Sequence, residues 1–291
     1  MTRPPIPFPP ALTSTQNARV KHAKELRLKK YRQRHGEFVV EGETFLRQGL
    51  KAGFTLKQAF VLDTAFDNRL MADLFEQSVL APRNTVLTNS HVQAAVAGKD
   101  NPQPVIAIFA EPKPVLDDHP LEAGQLWVAL QEPRDPGNVG TVIRTADAVG
   151  ADGVILLGPS ADHWSSDCVR ASAGSVFSLP VIGASLEDFN IWRAGGPESQ
   201  CLGLALAGSE PYLKASYRAP LILMVGSEGS GLPDRYREAC DGLVRIPMPG
   251  MAESLNLAVS TAIVLYHAAG ALGRLDSDGV KRSPLAFKNT K

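Results

Sequence analysis

A chain of 291 residues with 44% hydrophobic and 21% charged side chains has the makeup of a globular protein and the length for two domains. No apolar run approaches the roughly 18 to 20 residues a spanning helix needs, so no membrane role is expected. The formal charge is zero, and Cys168, Cys201 and Cys240 lie far apart without CxxC spacing, which argues against a disulfide framework and a zinc site.

The proline-rich start, residues 1–14, cannot form the apolar helix of a signal peptide and is expected to be a flexible leader of a cytoplasmic protein. The zero net charge hides an asymmetry. Between Asn17 and Arg34 lie Arg19, Lys21, Lys24, Arg27, Lys29, Lys30, Arg32 and Arg34, opposed only by Glu25. Two readings fit: a solvated helix, or an arm that contacts backbone phosphates. From Glu37 short apolar strands alternate with amphipathic helices: strand EFVVEG, helix ETFLRQGLKAG, strand LKQAFVLD, helix RLMADLFEQ, strand then helix in NTVLTNSHVQAAVAG, and buried strand PVIAIFA. This makes a small α/β domain over residues 15–110. Residues 111–124, with three prolines between Glu111 and Leu121, have the composition of a linker.

The α/β rhythm resumes over residues 125–274 and ends in a basic, flexible tail at 275–291. Strands are expected at LWVALQ, GVILLG, VFSLPVI, CLGLALA, LILMVG and GLVRIPM, and the last long helix after Ser254. Near-continuous apolar strands separated by helices imply a mostly parallel sheet covered on both faces. Six histidines show no HxxxH or HExxH pairing, and no metal is expected.

In such sheets ligands bind beyond the carboxyl ends of the strands. Three loops stand out there. DPGNVGTVIRTADAVG places Asn138 at a helix start and Arg144 well inside the helix, where Val142, Ile143 and Ala146 leave it on a face that is otherwise expected to pack. VGSEGSGL holds Gly226, Gly229 and Gly231 around Glu228 and matches neither GxGxxG nor GxxxxGK[ST], so by itself it is a tight turn in which glycine permits close backbone approach. IPMPGMAESLN breaks a strand with Pro247, Pro249 and Gly250, then opens a helix for which Ser254 is a suitable N-cap, whereas Asn256 is a poor interior residue. The same lack of motifs speaks against a nicotinamide-dependent enzyme and a serine hydrolase.

Together, in this order, the three loops resemble the SpoU/TrmH family of RNA 2′-O-ribose methyltransferases within the SPOUT superfamily. VRASAGSVFSLPV, between the first two, resembles it too. The resemblance implies an α/β trefoil-knot domain with a mostly parallel sheet, preceded by a small α/β RNA-binding domain similar to a ribosomal-protein fold. It implies S-adenosylmethionine as cofactor, held by Gly226, Glu228, Gly231, Ile246, Met248, Ser254 and Leu255, and a homodimer. Asn138, Arg144, Glu228, Ser254 and Asn256 would carry catalysis. The resemblance assigns Arg144 to assisting deprotonation of the 2′-hydroxyl. A guanidinium stays protonated far above neutral pH, which favours an organiser of phosphate and oxygen and leaves a role as base open. Glu253 receives no role beyond a first-turn acid favoured by the helix dipole. The basic segment and the extra domain favour structured RNA, 23S rRNA before tRNA or small-subunit rRNA, and no DNA. The competing reading is an inactive RNA-binding assembly factor.

Overall fold

The computed structural model describes residues 8–67, 69–77, 79–206, 209–227 and 231–275. It divides the described residues into two units, one running to Pro112 and including Trp164–Ser166, the other taking Lys113–His163 and the described residues from Asp167. Among the described residues no helix is long and apolar enough to cross a membrane.

In the amino-terminal unit, α1 (Ala18–Glu25) is capped by Asn17, whose side chain accepts from Arg19 N, and α2 (Lys29–His35) stops at Gly36, which turns left-handed with φ 63°. The basic stretch is thus two helices and not one. β1 (Glu37–Glu41), α3 (Glu43–Lys51), β2 (Leu56–Leu62), α4 (Arg69–Glu76), β3 (Thr85–Thr88), α5 (Ser90–Ala97) and β4 (Val105–Ala110) follow. Their order in the sheet is β1-β4-β2-β3, with β4 antiparallel to β1 and β2, and β2 parallel to β3. Val20 and Ala23 of α1 and Leu26, its C-cap, pack with Val92 and Val96 of α5 over Phe60, Ile106 and Ile108. The end of the expected flexible leader is held: Leu12 N donates to Leu87 O at 2.7 Å and Leu12 O accepts from Asn89 N, extending the sheet past β3. Residues 1–7 of the leader lie outside the described residues.

The carboxyl-terminal unit contains β5 (Leu126–Gln131), α6 (Pro136–Ala148), β6 (Gly153–Leu157), α7 (Ser166–Ala171), β7 (Val181–Ala184), α8 (Leu186–Ala194), β8 (Gln200–Leu204), β9 (Glu210–Pro211), β10 (Leu221–Val225), α9 (Asp234–Arg237), β11 (Gly242–Arg245) and α10 (Leu257–Ala271). All pairs of the seven-stranded sheet are parallel, in the order β7-β6-β5-β10-β8-β11-β9. Every residue of β5, β6 and β10 is buried, as a sheet covered on both faces requires. Phe189 and Trp192 of α8 and Tyr236 of α9 pack on the face carrying Trp127, Ile155, Ile222 and Met224. On α6, Val139, Val142, Ile143 and Ala146 are buried, and α10 packs against α6 and β10.

Three expectations need correction. The linker at 111–124 is largely part of this unit, because Leu116 and Leu121 are buried in its core. The expected strand VFSLPVI begins only at Val181: Ser175–Phe177 is a 3-10 turn, and Pro180 lacks the N–H that a ladder needs, although its carbonyl still accepts from Val154 N. The helix after the first loop starts at Pro136, capped by Asp135, so Asn138 sits inside its first turn. Of the basic tail, residues 276–291 lie outside the described residues.

Gly140 lets α6 approach α7, since a Cβ there would fall 2.5 Å from Cys168 O and 2.8 Å from Ala171 Cβ. Helix propensity alone would favour alanine by about 1 kcal/mol, and overpacking against backbone costs about 1–3 kcal/mol. Gly140→Ala is therefore expected to lower the thermal midpoint in calorimetry, despite the better helix former.

Candidate active site

The segments leaving β8, β10 and β11, together with the start of α10, enclose a cavity of about 620 Å³ at the carboxyl edge of the parallel sheet. That volume is in the range of small-molecule sites. Leu204 to Leu206 come from β8, Val225 to Ser227 and Gly231 from β10 and its loop, and Arg245, Ile246 and Met248 from β11. The remaining wall is Glu253 to Leu257 with Ser260.

The glycine loop folds back on itself. A Cβ on Gly226 would lie 2.2 Å from Gly231 C, and Gly231 has φ 63°, so the first position needs glycine for close approach and the second for its backbone angle. Ser227 and Gly231 bridge across the base of the loop, with Gly231 N donating to Ser227 O at 3.2 Å. Ser227 N donates in turn to Oε1 of Gln131, a buried polar residue at the end of β5. Glu228 and Gly229 lie outside the described residues.

At α10 the cap is Asn256 and not Ser254. Its Oδ1 accepts from Ala258 N at 2.9 Å and Val259 N at 3.3 Å, while its Nδ2 donates to Asn138 Oδ1 at 2.9 Å. This explains the asparagine that was unexplained as an interior helix residue: one amide satisfies two orphan helix donors and ties α10 to the first turn of α6. Ser254 is left exposed on the cavity wall.

Of the cofactor residues expected from sequence, Gly226, Gly231, Ile246, Met248, Ser254 and Leu255 all line the cavity. Asn138 and Asn256 are brought together, but Arg144 is not among the cavity residues. The expectation that Arg144 packs on an apolar face is wrong: α6 buries Val142, Ile143 and Ala146 and turns Arg144 to solvent. Sequence reasoning missed Leu204 to Leu206, Ser227, Arg245 and Ser260 on the wall, and Gln131 behind it. A glutamine closing a strand of otherwise apolar residues was a legible signal for Gln131, whereas the contribution of β8 required knowing that it neighbours β10.

In the basic stretch Arg19, Lys21, Arg27, Lys29, Lys30 and Arg34 are exposed and Lys24 half-buried. Arg32 is the exception, 5% exposed, with Nη1 donating to Leu26 O at 2.7 Å across the break between α1 and α2. It is a structural arginine and leaves the list of phosphate contacts. The histidines are less scattered than their spacing suggested, because α1 and α2 bring ligand atoms of His22, Glu25 and His35 within 4.8 Å of one another. His22 Nε2 is already engaged by Glu37 Oε2 at 2.7 Å, and the group is largely exposed.

Residues 125–266 match the SpoU rRNA Methylase family and residues 17–107 the MRM3-like substrate binding domain. The 23S rRNA (guanosine(2553)-2'-O)-methyltransferase RlmP of Bacillus subtilis is 32% identical over 89% of this chain and 99% of its own. The 23S rRNA (uridine(2479)-2'-O)-methyltransferase of Streptomyces viridochromogenes is 32% identical over 81% of this chain and 84% of its own. An AdoMet-bound rRNA methyltransferase structure from Sinorhizobium meliloti superposes with a TM-score of 0.80 at 36% identity, covering 89% of this chain and 96% of that one.

The double duty of Asn256 is separable. Asn256→Ala is expected to lose about 1–2 kcal/mol in urea unfolding through the missing cap, whereas Asn256→Asp, which keeps the acceptor and loses the amide donor to Asn138, retains most of that stability.

Proposed function

The chain belongs to the SpoU rRNA Methylase family, and from that premise we propose that it transfers a methyl group from S-adenosylmethionine to a ribose 2′-oxygen of 23S rRNA. The observation that carries this reading is the cavity at the sheet edge, where the folded-back glycine loop, the strand break at Ile246 to Met248 and the entry to α10 offer backbone groups at close range. Bound there, S-adenosylmethionine supplies a methyl carbon already activated on a sulfonium and leaves as the neutral thioether. What the chain must add is alignment and help in removing one hydroxyl proton.

Asn138 and Asn256 fix the start of α6 against the start of α10 beside the cavity, and Ser254 presents a hydroxyl from its wall. Arg144, exposed and without an ion-pair partner among the described residues, is available to a substrate phosphate and to the negative charge that develops on the 2′-oxygen. Glu228 is assigned to this group by its place in the motif. The acceptor is a hydroxyl that DNA lacks, so RNA is the substrate. Six exposed lysines and arginines of α1, α2 and their junction give the amino-terminal unit a phosphate-contacting face. Relatives that modify 23S rRNA favour that molecule over tRNA, and the cytoplasm is where this substrate is met.

The chain acts as a homodimer in this reading. Val259 and Tyr266, two turns apart on α10, are 48% and 46% exposed, an apolar helix face beside the cavity that a second copy would cover. The carboxyl-terminal unit is read as the trefoil knot of the family, and the placement of late strand β10 between β5 and β8 supports this.

Mapping 2′-O-methyl groups on total RNA with and without the gene should reveal one lost site in 23S rRNA; a loss confined to tRNA or to 16S rRNA would sink the substrate assignment. Arg144→Ala should reduce methyl transfer at saturating cofactor by about 100-fold or more, the scale for losing a group that stabilises developing charge, with cofactor affinity unchanged in calorimetry. Tyr266→Asp should shift the protein toward monomer in sedimentation velocity.

A further inference from the structure

We infer that Arg245 and Glu253 together receive the amino-acid end of S-adenosylmethionine, Arg245 taking the α-carboxylate and Glu253 the α-ammonium; the inference rests on the cofactor reading above. Among the described residues that line the cavity these two are the charged ones, and their charges are opposite. Arg245 ends β11 and is half-buried. Glu253 lies on the segment that enters α10.

Three observations support this. First, among the described residues neither side chain makes an ion pair or hydrogen bond, in contrast to Arg193, which donates to Ser199, Ala239 and Asp241, and Arg274, which donates to Gly124, Gly150 and Asp152. A half-buried guanidinium on a cavity wall is costly to leave unpaired, and a ligand anion removes that cost. Second, the helix-dipole account of Glu253 fails: α10 begins at Leu257 with Asn256 as cap, so Glu253 lies before the first turn, beyond the reach of the dipole. Third, the pairing of signs selects among ligands. An RNA phosphate or a simple carboxylate would meet Arg245 but be repelled by Glu253, whereas a zwitterion satisfies both. The apolar side chains Leu204, Val225, Leu255 and Leu257 suit a flat heteroaromatic ring and offer an ionised group nothing.

Binding of S-adenosylhomocysteine and of 5′-methylthioadenosine, which shares its nucleoside and thioether but lacks the amino-acid end, tests the assignment by isothermal calorimetry on the full chain without RNA. Arg245→Gln and Glu253→Gln should each weaken S-adenosylhomocysteine about tenfold or more, the scale of a hydrogen bond to an ionised group, and leave 5′-methylthioadenosine within about twofold. Arg245→Lys should recover part of the loss. The assignment is overturned if either Gln variant binds S-adenosylhomocysteine like the parent, the result expected were Arg245 reserved for RNA phosphate, or if a variant with an unchanged thermal midpoint weakens both ligands in parallel. Should Arg245→Gln lower the midpoint, Arg245→Lys and Arg245→Met carry the same comparison. A parent chain that binds neither ligand would overturn the cofactor reading itself.

Discussion

Parallel pairing of β10 with both β5 and β8 is the constraint on which the site depends. Leu221 to Val225 run in register with Leu126 to Leu130 on one side and Gln200 to Leu204 on the other, so three strands from distant parts of the chain end at one level. The segments that leave them, Gln131 onward, Ala205 onward and Gly226 onward, are therefore neighbours without any further device. Burial of all five residues of β10 makes that register costly to shift, since every change in pairing would move apolar side chains out of a closed core. The hydrogen bond from Ser227 N to Gln131 then fixes the direction in which the glycine loop departs.

Part of the cavity wall depends on close backbone approach, and this explains which part of it was legible beforehand. Backbone approach leaves a trace in sequence only where it demands glycine or proline, and Gly226, Gly231, Pro247 and Pro249 are such traces. Leu204 to Leu206 leave none, because an apolar strand end looks the same whether it faces a core or a ligand. The strand and helix rhythm was legible because apolar runs and caps are local signals. It failed where a tertiary contact decided the outcome: Leu12 gained a partner in Leu87, Leu116 and Leu121 joined a core, and Pro180 delayed a strand.

The two asparagines show how a misplaced boundary hides a function. With the helix drawn from Ser254, Asn256 is an interior residue without a reason; with the helix starting at Leu257, it is the cap, and its Nδ2 donates to Asn138 Oδ1. The shift comes from Pro249 and Gly250 and the extended segment after them, which carries Glu253 to Leu255 along the cavity before the helix can begin. Local propensity could not distinguish a serine and an asparagine as caps, as both are favoured there. The second hydrogen bond, to a residue 118 positions away, decides.

Charge was the least legible property, because a charged residue reads alike in sequence whether it serves a phosphate, a carbonyl or solvent. Arg32 sits in a run of eight basic residues and is nonetheless the one that turns inward, since the break at Leu26 to Leu28 exposes carbonyls that its guanidinium can satisfy. The same ambiguity runs the other way at Arg144, where apolar neighbours suggested packing. On a helix with its buried stripe at Val139, Val142, Ile143 and Ala146, position 144 falls on the open side, with Thr141 and Asp147 also exposed. The role proposed for Arg144 needs that exposure: a guanidinium already committed to an internal carboxylate would have to surrender it before meeting a phosphate, and the exchange would cancel much of the gain. The arginine that holds the fold and the arginine proposed to meet the substrate are therefore told apart by their partners and not by their neighbours in sequence.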